Sequence, residues 1–306
     1  MSASVPPARA VAAEFVGTAA LAAVVVGSGI QAAALSADVG VRLLANSLAT
    51  VFGLGGLIAL LGPVSGAHFN PVVTLAAWWS GRRGGDGPGL REVAAYLPAQ
   101  TAGAVCGAEL ADAMFAEPLA RFATQDRFAG HLWLGEAVAT CGLVLMALGL
   151  ARAGLARLVP VVVAGYIGAA IWFTSSGSFA NPALTVGRSF TDTFTGIAPG
   201  SVAPFVAAQF AGALAGVALV ALLFGRPAAG DAGGEGPADP RGGDALRAGG
   251  GRRVPGVLPV APRTLRTGRA GHTDRAGHPG RTGRTDRTGR TGRTDRTGRA
   301  HGLTSG

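Results

Sequence analysis

The chain has 306 residues and a formal charge of +9, from 26 basic and 17 acidic residues. Every basic residue is an arginine; with no lysine, a Walker A nucleotide loop is excluded outright. Residues 1–225 hold ten arginines and ten acidic residues while residues 226–306 hold sixteen and seven, so the positive balance belongs to the tail and gives no reason to expect a nucleic-acid partner.

In chain order, six apolar runs reach the roughly 20 residues that a helix needs to cross a bilayer. The first covers about 10–33 and opens with Glu14-Phe15-Val16-Gly17-Thr18. It is too long, and too similar to the five later runs, for a cleavable signal peptide. The second covers about 42–62. A shorter stretch comes after it, Ser65-Gly66-Ala67-His68-Phe69-Asn70-Pro71-Val72-Val73-Thr74. The third run is about 93–115, the fourth about 132–151 and the fifth about 157–176. A second short stretch then carries Ser178-Phe179-Ala180-Asn181-Pro182-Ala183-Leu184, and the sixth run is about 202–224. These runs lack the charged stripe of a soluble helix. The expected fold is therefore an all-α membrane protein with six transmembrane helices.

The tail, 226–306, repeats Arg-Thr-Gly-Arg-Thr-Asp-Arg near its end. It has too few large apolar residues to offset its ordering entropy and reads as a disordered cytoplasmic segment that can touch anionic lipid. Residues 1–225 form the membrane domain. Cys106 and Cys141 sit in apolar runs without partners and read as small buried helix residues, not as a disulfide or a metal site.

Arginine placement gives an orientation. Arg9, the group Arg82, Arg83 and Arg91, then Arg152 and Arg157, and finally the tail alternate with loops of mixed charge. The positive-inside rule puts both termini in the cytoplasm, which six spans allow. The chain also repeats. Glu14 opens the first run as Glu136 opens the fourth, Asn70-Pro71 matches Asn181-Pro182, and Tyr96-Leu97-Pro98-Ala99-Gln100 matches Phe205-Val206-Ala207-Ala208-Gln209. Each copy has three spans, so the second is inverted against the first. Gly103 with Gly107, and Gly212 with Gly216, are spaced for close helix packing in lipid.

Asn followed by Pro is a good helix start, with the side chain as N-cap and proline at the first helical position. Two such starts after spanning runs predict two re-entrant half-helices meeting near the bilayer centre. Their unpaired N–H groups and dipole ends favour electronegative oxygen and oppose cations. The segments before each Asn read as extended, with carbonyls free to accept. Glu14 and Glu136 are intramembrane carboxylates, placed symmetrically to hold the re-entrant loops; proton coupling is the other reading.

On these residues the chain resembles the aquaporin, or major intrinsic protein, family over about residues 8–225. The resemblance implies a passive channel for water and small neutral solutes, no cofactor or metal, and a homotetramer in the plasma or inner membrane, with membrane lipid as its other partner. It further implies that Asn70, Pro71, Val72, Asn181, Pro182 and Ala183 form the pore motifs. By spacing, the selectivity filter falls at Thr50, Ala169, Ser178 and Leu184. Leu184 stands where the family usually has arginine, and Val72 where it has alanine. Such a ring is wide and admits glycerol-, urea- or arsenous-acid-like solutes. Two readings are open for Arg188, one helical turn on: it reaches the pore mouth, or it pairs with Asp192 at i,i+4. His68 is expected at the other mouth, lining the path as a polar group or responding to pH. A coupled secondary transporter is the alternative function. Catalysis is not expected, since no nucleophile–base set is present.

Overall fold

The computed structural model describes residues 7–82 and 87–225, and among them there is helix and no strand. The elements are α1 (Pro7–Leu35), α2 (Val39–Ser65), α3 (Pro71–Gly81), α4 (Leu90–Met114), α5 (Gly130–Arg152), α6 (Val159–Phe173), α7 (Pro182–Gly187) and α8 (Pro199–Phe224). Single 3₁₀ turns precede α6 (Ala156–Leu158) and follow α7 (Arg188–Phe190). Arg83 and the basic tail lie outside the described residues.

Four of the long helices, and α6 with its 3₁₀ turn, are apolar and long enough to cross a membrane. The remaining long helix, α4, runs 25 residues but carries Glu92, Gln100, Glu109 and Asp112. At 1.5 Å per residue it still spans about 37 Å. It tolerates its polar groups by burying Gln100 and Asp112 in protein.

The two copies pack alike. Helix α1 lies against α4, and α5 against α8. Glycines set both contacts. A Cβ on Gly103 or Gly107 would run into the backbone of Phe15 or Ala19. One on Gly212 or Gly216 would run into the backbone of Ala137 or Cys141. Helices α2 and α6 meet between the copies, and the half-helices cross over: α7 rests on α4, and α3 on α4 and α8. The outer surface carries exposed Phe52, Val161, Leu214 and Leu222, as a lipid-facing surface requires. Cys106 is exposed on that outer surface, against the expected burial, and Cys141 is half-buried; neither is bonded.

Local chemistry sets the helix ends. Asp38 caps α2 through Val41 N–H at 2.8 Å. Gly66, at φ 87°, closes α2 in the left-handed region that glycine enters at no cost. Proline opens both half-helices, behind an asparagine cap.

Candidate functional site

The two asparagines meet at the centre. Asn70 Oδ1 accepts from Val72 N–H at 3.1 Å. Asn181 Oδ1 accepts from Ala183 N–H at 3.0 Å and Leu184 N–H at 3.3 Å. Each amide nitrogen also reaches across the repeat. Asn70 Nδ2 donates to Ala180 O at 2.8 Å, and Asn181 Nδ2 donates to Phe69 O at 2.7 Å. An amide nitrogen has two donors. One is spent on the opposite loop, and the other is left for the cavity that both residues line.

That cavity has a volume of about 740 Å³ and runs past both asparagines. At one end its wall includes Arg127 and Arg188, and at the other Ser80 and Arg152. Opposite the loops the wall is apolar, with Leu21, Leu54, Ile58, Leu143 and Val163. Among its described lining residues there is no aspartate or glutamate.

The loops ahead of the half-helices supply the polar wall. They are not uniformly extended, as the sequence pattern suggests. Ala67 and Phe69 stand at φ 50°, Ser178 at 50° and Ala180 at 46°. Left-handed backbone at a non-glycine residue costs about 1 kcal/mol each. The carboxylates hold it in place. Glu14 accepts from His68 N–H at 2.9 Å, Phe69 N–H at 2.7 Å, Ser65 Oγ at 2.6 Å and Gln100 Nε2 at 2.7 Å. Glu136 accepts from Phe179 N–H and Ala180 N–H, both at 2.8 Å, and from Gln209 Nε2 at 2.6 Å. Each glutamine ties back to its half-helix, Gln100 to Thr74 Oγ1 at 2.9 Å and Gln209 to Thr185 Oγ1 at 2.8 Å. With the loop N–H groups engaged on the protein side, the carbonyls of Gly66, Ala67 and His68, and of Gly177, Ser178 and Phe179, remain free of hydrogen bonds among the described residues. All six residues line the cavity.

Placement of the expected site residues is uneven. Asn70, Asn181, Thr50, Ser178, Leu184, His68 and Arg188 line the cavity. Pro71, Val72, Pro182 and Ala183 are buried behind it; Val72 packs with Ala76, Val144 and Ala213. Glu14 and Glu136 are fully buried and off the cavity wall. Ala169 corrects the spacing argument, because it is exposed on the outer side of α6. At about 100° per residue it lies nearly opposite Ile167 and Ile171, which face the cavity. Counting back from Asn181 crosses the irregular segment 174–180, where helical phase is not kept.

Arg188 does not pair with Asp192. Its Nε donates to Thr195 O at 2.6 Å, and its guanidinium lies 3.4 Å over the Phe179 ring. Asp192 instead meets Arg121 at 3.3 Å. Arg127 is a wall residue that no sequence pattern marks. Its Nε donates to Gly196 O at 3.1 Å, its Nη1 to Ser176 O at 3.4 Å, and its Cζ stands 5.1 Å from the Phe179 centroid. Two buried hydroxyls on the same wall, Ser178 Oγ and Thr195 Oγ1, have no protein partner. His68 Nδ1 lies 3.2 Å from Thr74 Oγ1, and its ring meets Tyr96 edge-on. Among the described residues no His, Cys, Asp and Glu cluster could hold a metal.

Comparison with known proteins gives one answer. A family profile described as "Major intrinsic protein" matches residues 1–173. The chain is 47% identical over 219 residues to aquaglyceroporin AqpS of Rhizobium meliloti, covering 71% of this chain and 90% of that one. It is 32% identical over 218 residues to the glycerol uptake facilitator protein of Pseudomonas aeruginosa, covering 61% and 75%. The X-ray structure of the aquaglyceroporin from Plasmodium falciparum superposes with a TM-score of 0.54 at 21% identity, over 70% of this chain and 94% of that one.

Proposed function

The chain belongs to the major intrinsic protein family, and from that premise we propose that the path for its solute is the cavity between the two asparagine-capped half-helices. It is a multi-pass membrane protein and a passive channel for water and small neutral solutes. The observation that carries the pore assignment is the wall itself. One side offers six free carbonyls and two asparagine amides; the other is largely apolar, with Asn46 and Thr50 as its polar members. Such a wall replaces part of a solute's hydration without binding it tightly enough to stall it.

The solute class comes from the filter. Thr50, Ser178 and Leu184, with Ile171 in place of Ala169, form a ring without an arginine side chain at position 184. Leu184 contributes apolar surface, and Ser178 contributes an unpartnered hydroxyl. That combination favours uncharged, hydroxylated molecules larger than water, of the glycerol, urea or arsenous acid type. The names of the relatives agree with that size. Coupled transport finds little support, because its only candidate carboxylates, Glu14 and Glu136, are saturated with loop donors and lie off the path. The same reading makes the chain non-enzymatic. It places the channel in the plasma or inner membrane, with the starts of α1 and α4 and the end of α8 toward the cytoplasm, and as a homotetramer.

Stopped-flow light scattering on proteoliposomes tests this. Glycerol and urea flux well above that of empty vesicles is expected, with Leu184→Arg cutting it about tenfold or more while sparing water. Water flux without glycerol or urea entry would overturn the wide-filter assignment.

A further inference from the structure

The outer wall near Leu184 is charged, though its charge does not come from position 184. The segment Ala123–Phe128 is tied to the segment Ser189–Ser201. Ala123 N–H donates to Ser189 O at 3.0 Å, Ala198 N–H to Gln125 O at 2.8 Å, and Arg127 N–H to Ser201 Oγ at 2.9 Å. This brings Arg127 to the same aromatic ring that Arg188 covers. Planar guanidinium on an aromatic face is a stable arrangement that fixes where the charge sits.

Neither guanidinium has a carboxylate partner among the described residues, where the single ion pair is Arg121 with Asp192. Asp126, next in sequence to Arg127, is turned away to Ser201 Oγ at 2.8 Å and Phe128 N–H at 3.0 Å. Glu136, behind the loop, is taken by two backbone N–H groups and Gln209. The groups that Arg127 and Arg188 do touch are carbonyls, which accept a hydrogen bond and leave the charge in place.

We propose that Arg127 and Arg188, held on the Phe179 ring, form a two-arginine collar that excludes cations at this mouth of the pore. The proposal rests on the channel reading above and adds to it the residues that set charge selectivity. Two positive charges beside a narrow, partly apolar passage raise the energy of a passing cation and leave a neutral solute of the same shape unaffected.

Urea and guanidinium have nearly the same shape and differ by one charge, so they isolate this property. Their permeabilities are measured by stopped flow in proteoliposomes holding the full chain, for wild type, Arg127→Gln, Arg188→Gln, the double glutamine variant and the double lysine variant. Wild type is expected to pass urea and exclude guanidinium. Each glutamine variant is expected to raise the ratio of guanidinium to urea permeability roughly tenfold, and the double variant further. The lysine variant, which keeps the charge, is expected to exclude guanidinium. Guanidinium entry at the empty-vesicle level in glutamine variants that still pass urea would overturn the collar. Wild type passing neither solute would instead remove the channel reading beneath it. If the double variant fails to reach the membrane, the single variants decide.

Discussion

The two inverted halves are nearly identical where they hold themselves up and different where they meet solvent. In each, a buried glutamate gathers loop N–H groups, a glutamine links it to a threonine, and an asparagine caps a half-helix and reaches across to the other loop. Around this frame the halves part. The Glu14 side carries His68 and Tyr96; the Glu136 side carries Phe179, Arg188 and Arg127. The lesson is that repeated residues maintain the re-entrant geometry, while the unpaired ones give each mouth its own character.

The largest effect should come from removing a carboxylate. Glu14→Ala strands four hydrogen-bond donors and Glu136→Ala three. At about 1–3 kcal/mol for each unsatisfied buried donor, either loss is on the order of 5 kcal/mol. Neither variant should be recovered as a monodisperse protein in gel filtration after detergent extraction. The milder Glu→Gln pair sharpens the comparison: Glu14→Gln should lower the unfolding temperature more than Glu136→Gln. The reverse order would mean that donor count does not govern the two cradles.

Next come the caps. Asn70→Ala frees one backbone N–H and Asn181→Ala two, and each also loses its cross-repeat bond. Losses of about 2 kcal/mol are expected, with Asn181→Ala the larger, read as thermal unfolding by tryptophan fluorescence. Equal shifts would argue that the cross-repeat bond, which the two share, carries most of the cost.

A third test separates wall from surface on α6. Ile171→Phe should reduce urea flux about tenfold, because it adds bulk beside the cavity. Ala169→Phe should leave flux within about twofold, since that position faces outward. An Ala169→Phe variant that blocked urea would restore the filter position that spacing alone assigns.

Much of this is readable from residues. The long helices begin and end within about three residues of the apolar runs, because lipid demands unbroken apolar length. The half-helices and their carboxylate supports come from paired Asn-Pro and paired Glu, since the repeat states each requirement twice. What escapes has no such echo. Arg127 reaches the cavity through hydrogen bonds to residues about seventy positions away, and nothing local marks it. Arg188 is legible as a residue of the mouth, yet its choice of Phe179 over Asp192 depends on the short 3₁₀ turn after α7, which spoils i,i+4 spacing. Ile171 is hidden because helical phase does not survive the irregular segment before Asn181. The left-handed loop residues are hidden because alanine and phenylalanine seldom take that conformation without help, and the help comes from distant glutamates.

The smallest effect belongs to Asp192, which fastens the loop that carries Arg127. Its carboxylate accepts from Thr124 N–H and Thr124 Oγ1, both at 2.9 Å, and meets Arg121. The Thr124 N–H, then its hydroxyl, and then Arg121 hold this carboxyl below its ordinary range. A group whose folded value is depressed contributes stability above its unfolded value, about 4, and loses it as pH falls through the folded value. The clamp is therefore complete at neutral pH and weakens only under acid. Exposed pairs of this kind contribute little to global stability, so Asp192→Asn should leave the unfolding temperature nearly unchanged. The local consequence is what matters. Hydrogen exchange of residues 123–128 should be slow in wild type at pH 7 and faster in Asp192→Asn, with wild type approaching the variant below about pH 4 after correction for intrinsic rates. If guanidinium exclusion weakens in that variant as exchange speeds up, the clamp and the charge of Arg127 belong to one device. If exchange speeds up and exclusion holds, Arg188 on the Phe179 ring is sufficient by itself.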